Sequence, residues 1–226
     1  MFRYASAPLL SLRSISQGSR WLLPPLRSFS ATAAARGPLL NTIAHDHREL
    51  ESYYPHIIDN KSSDERIRYQ NIFVWELARH SVAEEMIVYA AMETHLENGR
   101  DMAWKDRDQH QTIKEQLYRF QNMEAEDPGF EPTFRKLFSD LQRHVKEEEE
   151  HDLPQLEAQL DHDSLSELSK SFDRTKLLVP TRSHPLSPRA PPFETAAALL
   201  SAPIDKVADI FRKFPKQDDT RGLSTQ

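Results

Sequence analysis

His144-Val145-Lys146-Glu147-Glu148-Glu149-Glu150 and, 64 residues earlier, His80-Ser81-Val82-Ala83-Glu84-Glu85 both read His-x-x-x-Glu-Glu. In a helix, residues i and i+4 lie one above the other on the same face, so each His stands over a Glu. A run this charged is ordinarily a solvated surface, and the apolar neighbours decide otherwise here. Phe73, Leu77, His80, Glu84, Ile87 and Ala91 step by four, three, four, three and four residues. Phe134, Leu137, Leu141, His144 and Glu148 step by three, four, three and four. Both pairs therefore sit where core residues belong. A carboxylate in an apolar stripe is costly unless something compensates it.

Working outward, two further inward His accompany the repeated pair. Ile43, His47, Leu50 and Tyr54 form the stripe of a first helix expected from Asn41, as N-cap, to about Asp59. His45 and Glu49 fall off that stripe, and Glu51, four residues after His47, borders it. Ser62 and Glu65 offer a capping box for a second helix that runs to about Glu97 and stops at Asn98-Gly99. A third helix, roughly Met102 to Met123, carries His110, Ile113, Leu117 and Phe120 on one face, with Asp106 one turn before His110. A fourth starts near Pro132 and continues to about Leu160, with Pro154 a possible bend. His47 to His110 spans 63 residues and His80 to His144 spans 64. Two helical hairpins of similar length, each offering one His and then one His-x-x-x-Glu, imply an all-α fold. Its expected form is an up-down-up-down antiparallel four-helix bundle over residues 39–160.

The flanks read differently. Residues 1–36 hold Arg3, Arg13, Arg20, Arg27 and Arg36, many Ser and Ala, and no acid before Asp46. That is the composition of a mitochondrial transit peptide, and Arg27-Ser28-Phe29-Ser30 resembles a matrix-protease site cut before Ser30. The expected destination is the mitochondrial matrix. The alternative is a plain disordered tail on a cytoplasmic protein. Residues 161–226 form a C-terminal extension: a short helix near Leu165 to Leu178, then a Pro-rich strap from Val179 to Pro192 with five prolines. One or two short helices follow, broken at Pro203, with Ile204, Val207, Ile210, Phe211 and Phe214 on an apolar side. This tail is expected to fold back on the bundle. The alternative is that it meets a membrane surface or a partner, because Lys206, Arg212, Lys213 and Lys216 cluster near its end.

Composition narrows the chemistry. There is no cysteine, which excludes disulfides, thiolate metal sites and thiol catalysis. The net charge of −6 conceals an acidic body: without the four Arg of the first thirty residues, 25 basic residues face 35 acidic ones. That balance argues against nucleic acid as a partner. No apolar run approaches the length of a membrane span. Four inward His (His47, His80, His110, His144) and two inward Glu (Glu84, Glu148) remain to be accounted for. Unpaired buried carboxylates cost several kcal/mol each, and a bound cation offsets that cost directly. Imidazole and carboxylate without thiolate suit iron, manganese or zinc better than calcium or magnesium. Six or seven ligands exceed one tetrahedral zinc and fit two ions, with the Glu residues bridging.

Asp46-His47-Arg48-Glu49-Leu50, His80-x-x-x-Glu84-Glu85, His110, and His144-x-x-x-Glu148-Glu149 followed by Leu153-Pro154 together resemble the hemerythrin-like, or HHE cation-binding, domain. The tail segments Pro180-Thr181-Arg182 and Pro203-Ile204-Asp205-Lys206 resemble the extension of fungal members. The resemblance implies a non-haem di-iron centre, two iron ions per chain, with His47, His80, His110 and His144 as terminal ligands and Glu84 and Glu148 as bridges. One position departs from the oxygen-carrying members, which have two His one turn apart on the third helix; here the earlier one is Asp106. Either Asp106 replaces that His, or it is a solvated acid beside Arg107 and Asp108 and one metal keeps an open site. Glu51 is a weaker substitute. The departure favours metal storage, sensing or redox chemistry over reversible oxygen carriage, with dioxygen, nitric oxide or peroxide as the small ligands. An enzyme that turns over peroxide or repairs iron-sulfur clusters, and a metal-free helical interaction module, are the competing readings. No further acid, base or nucleophile constellation names a substrate.

Overall fold

The computed structural model describes residues 37–186 and 193–220, with backbone alone for residues 193–200, 217 and 218. The transit-peptide reading of residues 1–36 and the Pro191-Pro192 end of the strap lie outside the described residues. What is described is helical throughout, apart from turns and the strap.

Helix α1 spans Pro38–Ser52, and a short α2 at Tyr54–Ile58 continues it after Tyr53. The start differs from the expected Asn41. Pro38 takes the first turn, where its missing N–H is no loss, and the exposed donors find a distant acceptor. Glu157 receives the backbone N–H of Gly37 at 2.9 Å and of Leu40 at 2.9 Å. Helix α3 spans Ser63–Ala83. Only half of the expected capping box forms: Ser62 Oγ accepts from Glu65 N at 3.3 Å, while the Ser62 N–H goes to Asn60 Oδ1 at 2.9 Å.

The chain stays helical through two widened turns. A π-helical segment at Glu84–Val88 joins α3 to α4 (Tyr89–His95), and a second at Glu148–Asp152 joins α6 (Phe130–Glu147) to α7 (Leu153–Gln159). Tyr89 N–H bonds to Glu84 C=O and Leu153 N–H to Glu148 C=O, each reaching back five residues. Single-turn π segments inside helices gather at functional sites, and these two begin at the glutamates of the two His-x-x-x-Glu strings. Between them runs α5, Gly99–Phe120. Gly99 sits where a Cβ would lie 1.8 Å from the Met92 carbonyl oxygen, so no other residue fits this turn without moving backbone.

Two apolar clusters form the core. Leu50, Tyr53, Phe73, Leu77, Ile113, Leu117, Phe134, Leu137 and Leu141 belong to one. Leu39, Ile43, Ala83, Tyr89, Met92, Ala103, Leu153, Leu156 and Phe172 belong to the other. Each long helix crosses from one cluster to the other, in alternating order. Helix α1 passes Ile43, His47, Leu50; α3 passes Leu77, His80, Ala83; α5 passes Ala103, His110, Ile113; α6 and α7 pass Leu141, His144, Leu153. A layer of buried polar groups therefore lies between two greasy ones.

Helix α8, His162–Lys176, is capped by Asp161, which accepts from Ser164 N at 2.8 Å, and packs on α1 and α3. The strap beyond it is buried at Val179, Thr181 and Ser183. Helix α9, Phe193–Asp209, runs through Pro203, so the expected break there does not occur. A proline removes one helical hydrogen bond, but anchors just beyond it hold the helix to the strap. Asp205 accepts from His184 Nε2 at 2.8 Å and Arg182 N at 3.2 Å, and Asp209 accepts from Thr181 Oγ1 at 2.6 Å. The tail folds back as expected, but through polar contacts: Ile204, Val207, Ile210 and Phe211 are 60–85% exposed. A short α10 spans Gln217–Thr220. No described helix is long and apolar enough to cross a membrane.

Candidate metal centre

All six residues read as inward-facing converge in the polar layer. His47, His80, Glu84, His110, His144 and Glu148 are each no more than 2% exposed. His47 Nε2 and His80 Nε2 are 3.0 Å apart, and His110 Nε2 and His144 Nε2 are 2.9 Å apart. Glu84 lies between the two pairs. Its Oε1 is 3.0 Å from His80 Nε2 and 3.8 Å from His47 Nε2, and its Oε2 is 3.4 Å from His110 Nε2. Glu148 also touches both pairs, at 3.5 Å from His47 Nε2 and 4.0 Å from His144 Nε2.

The outer ring nitrogens explain why the inner ones point inward. His47 Nδ1 faces Glu149 Oε1 at 3.0 Å, His80 Nδ1 faces Asp46 Oδ2 at 3.2 Å, His110 Nδ1 faces Glu85 Oε1 at 3.1 Å, and His144 Nδ1 faces Gln109 Oε1 at 2.8 Å. An ionised carboxylate only accepts, so each Nδ1 opposite one must donate, which leaves Nε2 to the centre. The carboxylates are in turn held by cations: Asp46 by Lys176, Glu85 by Lys114 at 2.5 Å, and Glu149 by Arg48. Burial pushes Glu85 and Glu149 up, but Lys114 and His110 in one case, and His47 and Arg48 in the other, bring both down to about 2. Gln109 keeps its orientation by giving its amide N–H to Glu147 at 2.9 Å.

Helical period alone does not assign these partners, although the doubled glutamates Glu84-Glu85 and Glu148-Glu149 and the dipeptide Asp46-His47 carry the signal. In the π turns, adjacent residues of one helix serve different layers: Glu84 lies among the imidazoles while Glu85 reaches the back of His110. Tyr89, at the end of the same turn, brings its hydroxyl 2.9 Å from His110 Nε2. Burial and the neighbouring Glu148 and Glu84 carboxylates raise the Tyr89 phenol well above its ordinary value.

The two central carboxylates are opposites electrostatically. Burial works against Glu84 ionising, yet His80, His47 and His110 hold its carboxyl well below the usual range. Burial and the Glu84 charge raise Glu148 well above it. For His80, burial is outweighed by Glu84 and Asp46, which lift it to about 9, whereas burial and His110 depress His144. None of the four oxygens of Glu84 and Glu148 accepts a well-formed hydrogen bond. Buried carboxylate oxygens of that kind suit a cation. Two donor triads, His47–His80–Glu84 and Glu84–His110–His144, have ligand atoms within 4.8 Å of one another and share Glu84. The donor set thus fits metal binding.

The supplementary candidates separate. Asp106 is 1% exposed, so it is no solvated acid; burial and the charge of Asp152 raise it to about 8, and its Oδ2 has no hydrogen-bond partner. Glu84 is among the charges acting on it. Its neighbour Arg107 is equally buried, bonded to Glu93 at 2.5 Å and to the Glu85 carbonyl at 3.4 Å. Glu51 is not brought in: it pairs with Arg48 at 2.9 Å in a cleft of about 380 Å³ that also contains Glu149 and Glu150. His45 is exposed, as its position off the stripe implied.

Comparison with known proteins agrees with this geometry. The model of the hemerythrin HHE cation binding domain matches residues 39–156. An uncharacterized hemerythrin-like protein of Schizosaccharomyces pombe is 49% identical over 176 residues, 77% of this chain and 87% of that protein. That similarity extends well beyond the domain itself. No solved structure matches the chain. With the matched domain covering half of its length and a relative this similar, the chain belongs to the hemerythrin HHE cation-binding family.

Proposed function

We propose that the protein holds two iron ions in an up-down-up-down antiparallel four-helix bundle over residues 39–160 and uses them on dioxygen, nitric oxide or peroxide. The carrying observation is the pair of buried carboxylates without hydrogen-bond partners, ringed by four imidazoles whose Nε2 atoms face inward. The alternating passage of the helices between the two apolar clusters supports the bundle topology. His47 and His80 would hold one ion and His110 and His144 the other, with Glu84 and Glu148 shared. Asp106 is the added donor on the His110 side, in the place of the His found in oxygen carriers. Iron bound there supplies redox chemistry and affinity for small diatomic ligands, which zinc does not.

The chain's own groups set the conditions for that chemistry. Glu85, Glu149, Asp46 and Gln109 hold the imidazoles in one tautomer and one orientation. Tyr89 Oη, kept protonated by burial, is a donor placed at the inner side of His110. Residues 1–36 are proposed to direct the protein to the mitochondrial matrix, with cleavage before Ser30; import into isolated mitochondria tests this. The bundle and the extension, residues 161–226, are proposed as separate segments of one mature chain.

Metal analysis and the ultraviolet-visible spectrum of the full chain, purified without chelator and exposed to air, test the main reading. About two irons per chain with oxo-bridged ferric bands are expected. No iron after anaerobic loading refutes the proposal and leaves zinc, manganese or a metal-free module. Steady-state turnover of peroxide by the loaded protein would place it among enzymes.

A further inference from the structure

We propose that the C-terminal extension is a working part of the metal centre: Lys176 of α8, acting through Asp46, is a positioning residue for His80. It sets how tightly the His47–His80–Glu84 half holds its cation. This deepens the cation reading above and rests on it.

Three of the four imidazoles are backed by a carboxylate, and each of those carboxylates is backed by a cation. For Glu85 and Glu149 the cation comes from the bundle, Lys114 of α5 and Arg48 of α1. For Asp46 it comes from residue 176, twenty residues beyond the matched domain. Lys176 Nζ contacts both Asp46 oxygens, at 2.8 and 2.5 Å, and Oδ2 faces His80 Nδ1 at 3.2 Å. Among the described residues no other Lys or Arg is in ion-pair contact with Asp46. The Lys176 and Asp46 side chains are 12% and 9% exposed, so the pair is screened little by solvent.

The rest of α8 fixes where Lys176 stands. Phe172 is fully buried, lies edge-on to the His80 ring at 5.7 Å, and carries Lys176 Nζ 5.1 Å above its own ring. Ser169 Oγ and Thr42 Oγ1 meet at 2.7 Å, tying α8 to the helix that bears Asp46 and His47. A buried carboxylate that loses its cation is uncompensated and turns toward water. Below Asp46 a polar cleft of about 450 Å³ opens between α1, α3 and α8 and offers it that route. His80 would then lose the acceptor that orients its ring.

The test uses the full chain and ferrous iron, in anaerobic competition with a chromogenic chelator. Lys176→Met is expected to weaken one of the two irons by about 10–100-fold, the usual effect of removing a partner behind a metal-binding His. Lys176→Arg should restore most of it. Lys170→Met, on an exposed side chain of the same helix, should change nothing. Asp46→Asn, alone and combined with Lys176→Met, provides a cycle less exposed to folding failure: the double variant should lose no more than Asp46→Asn does. Unchanged affinity in Lys176→Met, additive losses in the cycle, or an equal fall in melting temperature with and without iron would each overturn the inference. Wild-type protein that takes up no iron would instead overturn the cation reading beneath it.

Discussion

Glu148→Gln separates the work of a ligand from the work of a core residue. Glu148 is completely buried, and burial together with the Glu84 charge favours its protonated form. Gln replaces a neutral acid with a neutral amide of nearly the same shape, and its N–H can take over the hydrogen bond that protonated Glu148 gives Glu84. Metal-free, the variant should melt at or above the wild-type temperature. Loaded, it should not. At free metal 100-fold above Kd, binding stabilises the wild type by ~2.7 kcal/mol, which in a chain of this size raises Tm by about 5–11 °C. If losing this contact to both imidazole pairs weakens binding about 100-fold, the same metal concentration contributes only ~0.4 kcal/mol, a shift of about 1–2 °C. Differential scanning calorimetry of each protein, with metal and with chelator, measures all four temperatures. Glu51→Gln is the control, since Glu51 pairs with Arg48 outside the polar layer, and it should keep the full shift. A Glu148→Gln protein stabilised by metal as strongly as wild type would refute the assignment.

Asp106→Asn should change the pH dependence of metal-free stability. The folded value of Asp106, about 8, stands above its ordinary one, so between about pH 4 and 8 the native chain keeps a proton that the unfolded chain has released. Stability from this group is complete below that window and falls as pH rises through it. The Asn variant should therefore gain on wild type from pH 5 to pH 8 in urea unfolding, and an equal difference at both ends would count against the burial seen here. Phe134→Ala tests the core beside the site. Phe134 packs on Phe73 and Phe120 at centroid distances of 5.0 and 4.8 Å, and its removal should cost about 3–5 kcal/mol. Metal stoichiometry of the folded fraction should not change, and a halved stoichiometry would mean that the two layers are not separable.

The inward faces were legible because helical period and residue chemistry disagreed at six positions, and the disagreement recurred after 64 residues. His47, His80, His110 and His144 each replace an apolar residue between two that pack, and the structure places all of them in one layer. What the period could not reveal is where it changes. A π turn leaves the residues before and after it on regular helix and shifts only the phase between them. Reading Glu84-Glu85 with one fixed period therefore assigns the second glutamate to the surface, where it is not. Partners remote in sequence were equally hidden: Glu157 caps α1 across 120 residues, and Lys176 reaches Asp46 across 130. The apolar side of α9 misled in the other direction. Its spacing is that of a packed helix, yet the strap binds it through Asp205 and Asp209 and leaves Ile204 and Val207 in solvent.

The supports behind the imidazoles also make the two halves of the centre unequal. His47 and His80 are both backed by carboxylates, which strengthen a ring nitrogen as a donor. On the other side His110 is backed by Glu85, but His144 has only the neutral Gln109. Asp106, favoured in its neutral form by burial and Asp152, would have to give up its proton before it could serve a cation on that side. The half nearer α8 should therefore fill first, and filling the second should depend more steeply on pH. If the proposed pair of ions is bound, such unequal halves would hold one more firmly than the other, which suits the sensing or handling of iron proposed above. The position that departs from the oxygen carriers, Asp106, and the position that lacks a carboxylate behind it, Gln109, fall on the same half. Their coincidence gives the asymmetry a physical basis in two independent residues.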